Sequence, residues 1–445
     1  MDILFDQCGG VSLRVDRNIA QSDAAQRKSS STPRLWHADV MSVLSINAGS
    51  SSIRFSFHGA GSPPAKLLDG KIERIGQGGT NLSIAATGIG TDPPLRLAMD
   101  AADWSSAADF LLAWLEAHPL FEDVQAVGHR VVHGMSRTSP ERVTEALLAE
   151  LRSITPYDPE HLPREIELME TVGRKFPRLP QVACFDTAFH RSTPRVATIL
   201  PIPRRYQSRG VQRYGFHGLS YTFLLQELAR RGDPAAARGR LIMAHLGSGA
   251  SLAAVCDGQC IDTSMGFTPA AGLPMSTRSG DLDPGLMCFL SLTEGMTAAS
   301  FQNMTNHESG LLGLSETSSD IRDLLACERG DVRAAEAVAL FCYQAKKWIG
   351  AYAAALGGLD TLVFAGGIGE NAASIRARIC DGLTFLGIEL HEERNARSGP
   401  VISSDASKVA VRVIRTDEES VIAGLTIGAL GLKVNGDESQ CEMPP

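Results

Sequence analysis

An α/β fold built from a repeated unit is the architecture this sequence predicts, and three observations carry it. Strand-like and helix-like patterns alternate from Met41 onward. Two strand–turn–strand segments carry glycine–serine turns, at Gly49 and at Gly247-Ser248-Gly249, and Gly247 follows Gly49 by 198 positions (247 − 49). A third glycine-rich turn, Gly366-Gly367-Ile368-Gly369, sits between a buried strand pattern and a helix.

Taken in order, the elements begin with the apolar run Val43, Leu44 and Ile46, which enters the turn Asn47-Ala48-Gly49-Ser50-Ser51-Ser52. The chain leaves that turn into a second alternating run, with Ile53, Phe55 and Phe57 on one face. A P-loop or a dinucleotide fingerprint continues from its glycine turn into a helix, so this is a different phosphate cradle. Its small side chains, hydroxyls and free N–H groups suit an anion. Residues 101–118 read as a helix and 124–132 as a strand. A helix over 160–174 is followed by a strand over 181–185 that ends on Asp186. Residues 241–246 and 250–255 repeat the opening hairpin. The 331–356 segment is a long amphipathic helix, with Val338, Phe341, Ala345, Ile349, Tyr352 and Leu356 on the side that serves the core or an interface. Residues 361–365 form a buried strand, and the glycine turn after it leads into a helix beginning near Asn371.

At 445 residues the chain is long enough for two domains with their own cores. A net charge of −8 gives bulk electrostatics no preference for nucleic acid or an anionic membrane. An anionic substrate therefore needs a local cluster of arginines. No apolar run reaches the ~18 residues of a membrane span. The nine cysteines are scattered, and only Cys256 and Cys260 lie close together, so reduced structural thiols in a cytoplasmic protein are expected. The first 40 residues, which include a polar, aperiodic run over 23–33, read as a disordered arm or an over-extended start.

Several residues join the glycine turns as chemistry. Asp186 stands at the C-terminal end of a strand, where α/β sheets bind ligands, although a carboxylate there also serves as a helix cap. Arg130, in Gly128-His129-Arg130-Val131-Val132-His133-Gly134, and Arg278, in Met275-Ser276-Thr277-Arg278-Ser279-Gly280, lie among small residues or on a strand. Each suits a carboxylate, a phosphoryl group or a structural ion pair. His217, in Tyr214-Gly215-Phe216-His217-Gly218, could donate to a developing charge or cap an aromatic cluster. Asp417-Glu418-Glu419 follows a strand pattern and suits a hard cation.

Together these segments make the chain resemble the acetate kinase family, the acyl-phosphate-forming branch of the superfamily of sugar kinases, actin and the Hsp70 ATPase domain. The resemblance runs from about Met41 to Ala429 and implies two duplicated ribonuclease-H-like (actin-like ATPase) domains around a central cleft. It implies an N-terminal extension over 1–40, domains over 41–190 and 191–432 with the last helix returning to the first, and a tail over 433–445. By the same resemblance Asn47 and Glu418 are magnesium-site residues, with Mn²⁺ able to replace Mg²⁺, and Arg54 falls at a substrate-site lysine. Arg130 and Arg278 hold the carboxylate and the transferring phosphoryl group, Asp186 is the essential acid, and His217 stabilises the transition state. Val132, Tyr157, Phe216 and Pro269 line the acyl pocket. ATP lies against His245, Leu246, Gly247, Ser248 and Gly249, against Asp320, Ile321 and Arg322, and against Gly367, Ile368, Gly369, Glu370 and Asn371. A homodimer is also implied.

The expected activity is Mg²⁺-dependent, reversible transfer of the ATP γ-phosphoryl group to a short carboxylate such as acetate or propionate. A sugar or polyol kinase and a nucleotide-switched regulatory protein are the alternatives. A carboxylate is already ionised at neutral pH and needs no general base, so positive charge and alignment do the work. The main departure is Thr155-Pro156-Tyr157-Asp158-Pro159, where the family has Ala-Pro-Leu-His-Asn. Tyr157 and Asp158 replace the leucine and histidine at the acyl pocket, Ser248 replaces an asparagine, and Leu219 and Tyr221 replace Thr and His after His217-Gly218.

Overall fold

The computed structural model describes residues 41–49, 52–76, 79–86, 95–99, 101 and 103–432. The expected arm over 1–40, the tail over 433–445, and Ser50 and Ser51 at the first hairpin's tip lie outside the described residues.

The first sheet grows from β1 (Ser42–Ala48), whose seven residues are all buried. β2 (Ser52–Gly59), β3 (Ala65–Glu73), β4 (Asn81–Ala86) and β5 (Leu95–Ala98) extend it as an antiparallel meander. On the other side of β1, β6 (Val124–Val131) and β8 (Gln181–Phe185) run parallel to it, with the short β7 (Glu141–Arg142) at the edge. The order is β5-β4-β3-β2-β1-β6-β8-β7. Both faces of β1 are covered, which explains its unbroken burial. Leu44 and Ile46 pack with Leu111, Leu112 and Leu115 of the Trp104–Ala117 helix. Val43 on the opposite face meets Ala423 and Ile427 of the C-terminal helix, Glu418–Leu430.

The second sheet repeats the plan. β9 (Arg240–Leu246), β10 (Ala250–Cys256) and β11 (Gln259–Thr263) form an antiparallel meander, and β12 (Thr361–Ala365) and β13 (Ala410–Val413) add parallel strands beyond β9. Its order, β11-β10-β9-β12-β13, matches β3-β2-β1-β6-β8 strand for strand. The Val332–Leu356 helix covers one face, burying Val338, Phe341, Ala345, Ile349 and Tyr352, so the side the sequence left open between core and interface is core. The Gly218–Arg230 helix covers the other through Tyr221, Leu224 and Leu228.

Two close approaches set the geometry that matters. The C-terminal helix lies directly on β6 because Gly128 has no side chain; a Cβ there would sit 2.2 Å from Thr426 Oγ1 and 2.6 Å from Ile422 Cγ2. That contact carries Glu418, at the helix start, to the end of β1. Gly366 adopts φ +75°, and a Cβ there would lie 2.7 Å from the Leu246 carbonyl oxygen, so only glycine fits. The glycines expected to precede a helix are themselves helical, as Gly366–Asn371, and the chain breaks at Ala372 before Ala373–Cys380. The close approach to β9 starts the turn early.

Candidate functional site

The ends of β1, β6 and β8, the start of the C-terminal helix and the β9–β10 turn deliver polar side chains to one region. Arg130, near the end of β6, donates from Nε (3.0 Å) and Nη2 (2.7 Å) to Asp186 Oδ2. Asp186 is fully buried, and its other oxygen accepts from the Leu219 N–H at 3.4 Å. Arg130 Nη1 reaches Asn47 Oδ1 at 3.4 Å, and Asn47 Nδ2 donates to Glu418 Oε2 (2.8 Å) and Glu419 Oε1 (3.2 Å). This chain of bonds joins β1, β6, β8 and the last helix. Burial alone would weaken the Arg130 charge, but Asp186, Glu418 and Glu165 outweigh it and hold the guanidinium protonated.

Asn47, Glu418 and Glu419 supply hard oxygen donors. Burial pushes both carboxyls above the usual range; Asp186 adds to this at Glu418, which Arg130 opposes, and Glu418 adds to it at Glu419. A buried carboxyl (Glu419) and a half-buried one (Glu418), disfavoured as a pair of anions, fit a divalent cation. Among the described residues no group of three His, Cys, Asp or Glu side chains forms a metal cage. Arg54 is exposed and pairs with Asn47 across β1 and β2. Its charge acts on Glu418, Glu419 and His245, which places it beside the carboxylates.

His217 occupies the left-handed region at φ 57° as the residue capping the Gly218–Arg230 helix, an uncommon conformation for a non-glycine. Its ring stacks on His245, centroids 4.3 Å apart, and its Nδ1 lies 2.9 Å from Ser251 Oγ. Burial first, then His245, Arg130 and Arg278, push His217 well below the usual histidine value, so the ring is neutral. Ser251 Oγ also bonds to Tyr221 Oη, which in turn receives the His245 backbone N–H. The order that satisfies every atom runs from the Tyr221 hydroxyl to Ser251 Oγ, and from the Ser251 hydroxyl to His217 Nδ1. The histidine proton is then on Nε2. A methyl group at Gly249 would sit 3.1 Å from that nitrogen and 3.8 Å from Arg278 Nη1, so both face the glycine turn. Arg278 Nη1 is steadied by the Pro269 carbonyl at 3.1 Å.

The nucleotide candidates fall into two groups. Gly247, Ser248 and Gly249 form the β9–β10 turn after Leu246, and Gly367 closes on it, its nitrogen 3.7 Å from where a Gly247 Cβ would be. Ile368 and Gly369 are buried in that short helix, Glu370 Oε1 accepts from the Gly366 (3.0 Å) and Thr416 (3.2 Å) N–H groups, and Asn371 Nδ2 donates to the Gly367 carbonyl. Asp320, Ile321 and Arg322 supply a further segment, whose Ile321 shares one core cluster with Leu246 and Ile368. Asp320 caps the Ile321–Cys327 helix and pairs with Arg322, while Ile321 is buried in the core.

Among the residues expected at the acyl pocket, Val132 donates its N–H to both oxygens of Glu165, at 3.2 and 3.1 Å. Phe216 is buried, and Tyr157 is turned so that its hydroxyl donates to the Arg209 carbonyl at 2.6 Å. Burial raises the Glu165 carboxyl well above its usual range against the pull of Arg130. Glu165, Ser251 and Arg376 were missed in the sequence. Arg376, fully buried, braces the carbonyls of Gly369 (2.8 Å) and Glu370 (3.0 Å). Glu165 carried a readable signal, a charge inside the buried stripe Leu162, Glu165, Ile166, Met169 and Val172.

Two guanidinium groups, a neutral imidazole donor and a glycine turn, beside two carboxylates and an amide, form a site for an anionic phosphoryl group in transit. Comparison with known proteins points the same way. Residues 42–424 match the acetokinase family. An acetate kinase of Rhodopseudomonas palustris is 42% identical over 392 residues, which cover 87% of this chain and 97% of the relative. A propionate kinase of Citrobacter rodentium is 41% identical over 389 residues, 86% of this chain and 95% of the relative. The crystal structure of Porphyromonas gingivalis acetate kinase is similar at a TM-score of 0.77 and 35% identity, covering 87% of this chain and 99% of that one. That of a Francisella tularensis propionate kinase is similar at 0.80 and 33%, with coverage of 87% and 99%.

Proposed function

This chain belongs to the acetokinase family and is a carboxylate kinase, and from that premise we propose that it moves the γ-phosphoryl group of ATP reversibly onto acetate or propionate by direct in-line transfer. The observation that carries the reading is the convergence of Arg278 and His217 Nε2 on the Gly249 turn, with Arg130 fixed beside them by Asp186. On this reading Arg130 aligns the carboxylate, Arg278 neutralises the migrating phosphoryl group, and the His217 N–H stabilises its developing charge. Asp186 orients Arg130 and is not a base, since its oxygens are engaged by Arg130 and by the Leu219 N–H. A sugar kinase needs a free base for a hydroxyl, which this carboxylate does not offer.

Asn47 and Glu418, with Glu419 beside them, would hold Mg²⁺, which when bound offsets phosphate charge. The turn Gly247-Ser248-Gly249 and the Gly366–Asn371 helix take the nucleotide phosphates and ribose, and Val132, Tyr157, Phe216 and Pro269 take the acyl group. The protein is read as a cytoplasmic homodimer. Supporting the dimer, the apolar Gly285–Glu294 helix has no buried residue, with Phe289 59% and Leu292 87% exposed. Incubation with ATP, Mg²⁺, acetate and hydroxylamine should yield acetohydroxamate; ADP release without hydroxamate would remove the carboxylate-kinase reading.

A further inference from the structure

Two buried polar atoms at the acyl end lack a protein partner. His133 follows Val132 and is fully buried. Its Nδ1 accepts from the Met135 N–H at 3.1 Å, so the ring proton is on Nε2, and that N–H donates to nothing. Asp158 follows Tyr157 and is 2% exposed. Its Oδ1 meets the His161 N–H (3.3 Å) and His161 Nδ1 (2.9 Å), while Oδ2 is buried and without a partner. The His133 ring is edge-on to Phe216, centroids 5.6 Å apart, and 5.9 Å from Tyr157. Both aromatics belong to the proposed acyl pocket, so the His133 ring packs against its wall.

His133 and Asp158 act on one another electrostatically, yet no hydrogen bond joins them. Each orphan is costly if left unmet. One is a donor and the other an acceptor. A hydroxyl answers both, as a water molecule does, and the methyl of acetate or propionate answers neither. The Tyr157 hydroxyl is already engaged by Arg209 and does not compete.

We propose that the acyl pocket takes a short carboxylate bearing a hydroxyl on its chain, the hydroxyl oxygen accepting from His133 Nε2–H and its proton bonding Asp158 Oδ2. This rests on the carboxylate-kinase reading and names its substrate class. In the transfer a carboxylate oxygen forms the new bond to the γ-phosphorus. The bond from that phosphorus to the β–γ bridging oxygen breaks, and ADP leaves with the oxygen and its electron pair. The substrate's hydroxyl keeps its proton, and no proton is released.

The test compares kcat/KM, read as ADP release, within matched pairs: glycolate against acetate, and each lactate enantiomer and 3-hydroxypropionate against propionate. At least one hydroxy acid should exceed its parent by about tenfold or more, because a site built to bond a hydroxyl discriminates against the analogue lacking it. In Asp158→Asn and in His133→Phe that ratio should fall to one or below. If both parents outrun every hydroxy analogue in the unaltered enzyme, the proposal is overturned, and that arm needs no variant to fold. A ratio unchanged in both variants overturns it as well. Absence of turnover with all six acids would instead remove the carboxylate-kinase reading.

Discussion

Arg130 grips a single oxygen of Asp186 through two of its own nitrogens, Nε at 3.0 Å and Nη2 at 2.7 Å. The guanidinium plane is thereby fixed, and its remaining edge points to Asn47 and the carboxylates of the last helix. A strand end on β8 thus fixes the guanidinium of Arg130 on β6, and through Asn47 the start of a helix more than two hundred positions further along the chain.

Asp186→Asn removes the anionic anchor but keeps the shape. It should lower kcat by about 10²–10³, the size expected when one preorganised charge stabiliser loses its place. Hydroxamate trapping measures it between pH 6 and 8. An orienting carboxylate leaves the pH profile's shape unchanged in the variant; loss of a limb of the profile would make Asp186 a proton acceptor instead.

The Tyr221–Ser251–His217 relay is this chain's way of keeping the His217 proton on Nε2. Tyr221→Phe removes the first donor and frees Ser251 to turn; Ser251→Ala removes the bond to Nδ1 outright. The first should cut kcat by roughly tenfold and the second by more, with KM for ATP little changed, since only transition-state stabilisation is touched. The ¹⁵N resonances of His217 should move from a single tautomer toward a mixture. A kcat loss without that spectral change would assign the effect to packing.

How much of this was legible in the sequence follows from what each residue needs. The two hairpins could be read because alternation and glycine turns are local signals, and the matching strand orders in the two sheets agree with them. Arg130, Asp186, His217 and Arg278 could be named because each sits in an unusual short segment. Ser251 could not, because its importance comes from a partner 34 positions away. The helical start at Gly366 was hidden for the same reason: its cause is the Leu246 backbone across the sheet. Tyr157 and Asp158 were visible as departures, but the bare Asp158 oxygen needs the fold around it.

Glu165 gives a pH signature. Its folded carboxyl is raised well above its ordinary value of 4.5, chiefly by burial. Between the two values the folded state binds the extra proton. The stability it contributes is therefore complete below about pH 4.5 and is lost as pH rises through the folded value. Glu165→Gln mimics the protonated form and still accepts the Val132 N–H. Urea denaturation at pH 5 and pH 8 should show the variant gaining on the unaltered protein at the higher pH. An equal difference at both would mean the carboxyl is ionised throughout.

The Gly285–Glu294 helix makes the most direct prediction about assembly. Leu286, Met287, Phe289, Leu290 and Leu292 lie within its ten residues, and none of them is buried. A monomer would leave that surface in water, at roughly 25 cal/mol for each Å² of apolar area. A second copy lying on it would recover that free energy and leave the sheets untouched. Leu292→Asp, at the most exposed apolar position, places a charge in the middle of such a contact and costs little in a monomer. Sedimentation equilibrium should give a dimer for the unaltered chain and a monomer for the variant, with the same circular dichroism. A dimer that survives both this change and Phe289→Asp would mean that the copies meet on another face.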